Sequence, residues 1–123
     1  MIITVIHRAF GESEPIKVAD VTIPKNILER DKGGIHPANA LEYAYRWTNN
    51  VMGSWSRNEK VFPDGEINGD YNPNVFRLAP LHENGMGLRS TSMGDHMIVE
   101  DFEVPSIYSK TYEVGMFGFK EVI

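Results

Sequence analysis

The chain has 123 residues, 41% hydrophobic and 24% charged, which sustains one compact core and excludes both a solvated disordered chain and a membrane-embedded one. The absence of cysteine removes disulfides, thiolate catalysis and Cys-ligated zinc together. The formal net charge is -5, and residues 62–123 hold 4 Lys/Arg against 10 Asp/Glu while residues 1–61 hold 8 against 7. That distribution disfavours a broad phosphate-tracking face, so duplex DNA is not an expected ligand. Met1 to Ile6 run into His7 and Arg8 without a basic leader or a small-residue cleavage site, and no run of 18 apolar residues exists. The expectation is one cytoplasmic domain over residues 1–123, with no membrane partner.

Ile2 to Ile6 is a β-branched run, apolar on both faces, that predicts a buried first strand. Gly11 to Pro15 reads as a turn, and Ile16 to Ile23 as a second, antiparallel strand closed by Pro24. Its apolar phase slips near Ala19 and Asp20, which predicts a bulge. Lys25 to Gly34 reads as a loop with one helical turn at Asn26 to Arg30. The main helix follows. Pro37 suits its first turn with His36 or a neighbour capping, and Leu41, Ala44, Tyr45 and Thr48 fall at helical spacing, flanked by Ala40 and Met52. Glu42 and Arg46 are spaced as an i,i+4 pair, and Asn49 and Asn50 tolerate the left-handed conformation at which a helix stops.

Residues 53–87 carry no sustained period and are dense in Gly, Pro, Asn and Asp, broken by one short apolar stretch from Val75 to Leu81. Connections of this length in a compact domain are functional or disordered. Met97 and Val99 then alternate with Ile98 and Glu100, and Thr111 to Ile123 places Tyr112, Val114 and Met116 on one face. Phe117 and Phe119 reverse the phase, with Gly115 and Gly118 as bulge sites. The predicted class is α+β: one main helix on a small antiparallel sheet, with a long irregular loop between the helix and the C-terminal strands.

Chemistry-bearing patterns are sparse. Asp64 to Asn72 has the early oxygen spacing of a calcium loop, but the bidentate position falls on Val75 and no helices flank it. His7, His36, His82 and His96 form no metal spacing, so neither metal nor cofactor is expected. Ser92 with His96 four residues on is the one nucleophile–base pairing, which leaves a hydrolase as a remote alternative. Trp47, Trp55, Tyr71 and Phe76 interleave with Arg46, Arg57 and Lys60. Three readings stay open for that set: aromatics that pin the long loop to the helix, a protein-binding hot spot, and a platform for single-stranded nucleic acid. The loop is expected to present Trp55, Arg57 and Tyr71 to a partner. Ser90, Ser92 and Asp95 can bond neighbouring backbone amides, with Gly94 at positive φ, which makes a shaped turn. The same turn could bind through Arg89, Ser90 and Ser92.

The segment Gly87 to Val99, followed by Tyr112 to Lys120, resembles the YodL-like domain of phages and conjugative elements. That family shows an Arg/His-Ser-x-Ser-x-x-Asp-hydrophobic motif, then a Tyr-x-Val strand and a Gly-Phe. Leu41 to Asn49 looks like the helix that precedes its motif. The resemblance implies a mobile-element setting without a defined activity. Taken together, the expectation is a non-enzymatic accessory protein that binds a host-encoded or element-encoded protein.

Overall fold

The computed structural model describes residues 1–11, 14–34, 36–101 and 109–123. The turn expected over Gly11 to Pro15 therefore lies partly outside the described residues. Among those described, the chain forms β1 (Ile2–His7), β2 (Ile16–Thr22), α1 (Lys25–Arg30), α2 (Ala38–Trp47), β3 (Val75–Arg77), β4 (His96–Glu100), β5 (Lys110–Gly115) and β6 (Gly118–Glu121). The strands make one antiparallel sheet of order β3-β2-β1-β4-β5-β6. This is an α+β fold with two helices, of which α2 is the longer and packs on β1 and β6.

Alternation explains which face is buried. In β1 the odd residues Ile3, Val5 and His7 are buried and the even ones half-buried, so the core face meets Ala40, Leu41 and Ala44 of α2. Met97 and Val99 of β4 and Tyr112 and Val114 of β5 continue that core. The expected bulge is present one residue earlier than its predicted place: Val5 pairs with Ala19 and Ile6 with Lys17, leaving Val18 as the extra residue. Val18 and Ala19 are consequently both buried.

Several local expectations are corrected. The cap of α2 is not His36 or an adjacent side chain. It is Asp31, whose carboxylate accepts the amides of Asn39 and Ala40 at 2.9 Å each. Arg46 turns to Asp70 at 3.2 Å rather than to Glu42. Asn49 and Asn50 are not at positive φ; they act through their side chains, Asn49 donating to the Tyr45 carbonyl and Asn50 to that of Leu88. Met52 is exposed beyond the helix end instead of flanking its apolar face. Gly115 and Gly118 are not bulges, since they pair with each other across a two-residue hairpin turn made of Met116 and Phe117. Gly118 has φ 127, a conformation that favours glycine.

Candidate functional site

A buried carboxylate organises the turn that enters β4. Asp95 is fully buried and accepts from both terminal guanidinium nitrogens of Arg89, Nη1 at 2.7 Å and Nη2 at 2.9 Å. It also accepts the amides of Arg8 at 2.8 Å, Ala9 at 3.0 Å and Ser92 at 2.8 Å. Burial pushes this carboxyl up. The Arg89 guanidinium, the Arg8 and Ser92 amides and His7 outweigh that, holding it below the usual carboxylate range. The geometry joins the segment after β1 to the turn before β4, two pieces of chain that sequence separates widely.

A second chain of bonds runs from the same place to α2. Thr91 Oγ1 donates to Thr48 Oγ1 at 2.8 Å, and Thr48 Oγ1 donates to the Ala44 carbonyl at 2.8 Å. The Thr91 proton is thereby used, so Thr91 accepts from His7 Nε2 at 3.1 Å and the proton sits on that nitrogen. Buried His7 is thus hydrogen-bonded into the core rather than held out to solvent.

The expected site residues divide. Trp55 is 2% exposed, edge-on to His7 with ring centroids 6.3 Å apart, and its indole N–H donates to the Arg89 carbonyl at 2.8 Å. It is a staple between loop and core, and the partner-facing role expected of it does not fit that placement. Ser90 Oγ accepts the Asn50 amide at 2.8 Å, and Ser92 Oγ donates to the Ser90 carbonyl at 3.3 Å. Trp55, Arg89, Ser90 and Ser92 therefore come together as a fastening of the loop to the β4 turn. Arg57 and Tyr71 lie apart from that fastening, half-buried, Arg57 between Glu59 at 3.3 Å and the Phe62 ring, and Tyr71 beneath Lys60. Ser92 is not bonded to His96, whose Nε2 faces Arg8 and Glu113.

Much of the 53–87 segment is organised by buried polar side chains. Asn68 accepts the Ser54 and Asp70 amides and donates to the Ser54 and Glu59 carbonyls. Asp70 accepts the amides of Val51 and Met52 as well as Arg46. Of the oxygens that gave this stretch its calcium-like spacing, those of Asp64, Asn68 and Asn72 accept backbone amides. Among the described residues no group of three or more His, Asp or Glu could hold a metal ion.

Sequence reasoning missed a set of exposed apolar side chains at the end of the sheet that carries the Asp95 turn. Phe10, Met93, Met116 and Phe117 are 67%, 55%, 71% and 97% exposed. They share one end of the sheet, because the Gly94 amide bonds the Val114 carbonyl at 2.8 Å and the Arg89 guanidinium lies 4.8 Å from the Phe10 ring. A signal was present: Gly-Met-Phe-Gly between two alternating strands reads as a hairpin with an apolar tip.

Gly94, beneath this cluster, has φ 97 as expected from the Gly-Asp pair before an apolar alternation. A methyl group there would also stand 3.3 Å from Ala9 Cβ. Gly94→Ala should therefore destabilise the protein by more than ~1 kcal/mol, read as a lowered urea midpoint. A midpoint at or above that of the parent would refute the strain.

Comparison of the chain with family models, curated proteins and solved structures finds no match in any of the three.

Proposed function

We propose that this chain is a non-enzymatic binding module that docks a protein partner through the sheet end bearing Phe10, Met93, Met116 and Phe117. The observation that carries this reading is the hairpin tip, where two large apolar side chains stand 71% and 97% exposed between glycines. Large exposed apolar groups gathered at one end of a sheet suit an interaction site, and aromatic anchors dominate such interfaces. The tip belongs to a half of the chain with a large acidic excess, which favours a protein over an anionic bilayer or a nucleic acid. No helix among the described residues is long and apolar enough to cross a membrane.

The resemblance to YodL-like domains supports a phage or mobile-element accessory role with a host or element protein as partner. The alternative of single-strand binding has less support, because the cations it needs are already engaged. Arg46 lies over Trp47 and on Asp70, Arg57 on Phe62 and Glu59, and Lys60 over Tyr71. A hydrolase using Ser92 and His96 has neither the hydrogen bond nor the oriented base that such chemistry requires.

The double substitution Met116→Ser, Phe117→Ser tests the reading. Exposed replacements of this kind change stability by about 0.5 kcal/mol or less, so thermal melting should stay near that of the parent. In paired capture from bacterial extract, proteins retained by the parent should be absent with the variant. Retention of the same proteins by both would end the proposal.

A further inference from the structure

From the same sheet end we infer that His96 is a protonation-dependent clasp on the Arg8 side chain. A single nitrogen carries the argument. His96 Nε2 lies 2.9 Å from Arg8 Nη1 and 3.2 Å from Glu113 Oε1. A guanidinium only donates, and an ionised carboxylate only accepts. Nε2 holds either a lone pair or a hydrogen, so it satisfies one of these neighbours at a time.

With His96 neutral, Nε2 accepts from Arg8 and the ring proton sits on Nδ1. With His96 protonated, Nε2–H donates to Glu113, and Arg8 loses its acceptor while facing a new positive charge. Arg8 retains two other acceptors, the Gly94 carbonyl at 3.3 Å and Glu113 at 3.4 Å. Its backbone stays pinned by Asp95, so the side chain alone responds.

The other charged side chains near this exchange come from the neighbouring strands and from β4 itself. Lys120 of β6 pairs in register with Glu113 of β5, and Lys17 of β2 pairs with Ile6, which in turn pairs with His96. Asp95, next along the chain, is occupied by Arg89 on the buried side, and Glu100 lies at the far end of β4. Protonation of the ring therefore opens the clasp. Its effect would be to shift the Arg8 guanidinium from His96 onto the Gly94 carbonyl and Glu113, at the rim from which Phe10 and the hairpin tip project. That last step rests on the docking reading above, whereas the clasp itself does not.

Long-range nitrogen–proton correlation spectra of the intact protein test it without any partner. At pH 8 His96 should carry its proton on Nδ1, the less common neutral form of histidine. As acid adds the second ring proton, the Arg8 side-chain signals should move with the His96 ring signals. Arg8→Met should return the neutral ring to the Nε2–H form. An Nε2–H ring at pH 8 in the parent protein, or Arg8 signals that ignore the His96 titration, would overturn the clasp. Failure of the hairpin-tip variant to lose its captured proteins would remove the docking reading and leave these spectra unaffected.

Discussion

Asp95→Ala should lower the stability of this protein by about 3 kcal/mol, toward the lower end of the ~3–5 kcal/mol typical of breaking a buried ion pair because Arg89 keeps some solvent access. The substitution takes the carboxylate away from the Arg89 guanidinium and removes the acceptor shared by the amides of Arg8, Ala9 and Ser92. The effect should depend on pH with a defined sign. The folded protein holds this carboxyl below its ordinary value. Its stabilisation is therefore complete above the unfolded carboxylate pKa, about 3.9, and fades as pH falls through the folded value. Urea denaturation of the parent and Asp95→Asn at neutral pH and again in strong acid measures this. The gap between them should narrow in acid, and a gap that stays constant would show that ionisation of Asp95 contributes nothing.

Trp55→Ala should cost a similar amount, about 3–5 kcal/mol, as a truncated core aromatic. The ring fills space beside His7, and its N–H satisfies the Arg89 carbonyl. Trp55→Phe keeps most of the bulk and loses the hydrogen bond, for which about 1 kcal/mol is expected. The measurement is a urea midpoint at unchanged slope. A near-parental midpoint for Trp55→Ala would contradict the staple and restore a surface role for this residue.

These two residues show where reading along the chain reached its limit. The β-branched run of β1, the apolar stripe of α2, the slipped phase of β2 and the turn glycine Gly94 were legible, because each is a local pattern with a local cause. Periodicity marks which face is buried, and a Gly-Asp pair before a strand marks a positive φ. The Asn and Asp residues of the long loop carried no such marker. Asn68 and Asp70 have the composition of a solvated turn, and they are buried only because amides from Val51, Met52 and Ser54 converge on them. Asp31 was equally silent as the cap of a helix that begins seven residues later.

The amino-acid sequence by itself determined the α+β class, the antiparallel pairing, the main helix and the positive-φ turn at Gly94, since these follow from backbone propensity and from the period of apolar side chains. The tertiary structure decided the direction of each aromatic. Trp55 and Phe117 are alike in being large and ring-bearing, yet one is walled in by β1 and the β4 turn while the other stands at a hairpin tip beyond the last strand pair. The flanking glycines mark Phe117 as a turn residue, but nothing within a few residues of Trp55 marks it as buried, because burial of a loop residue depends on which distant segments the sheet topology brings to it.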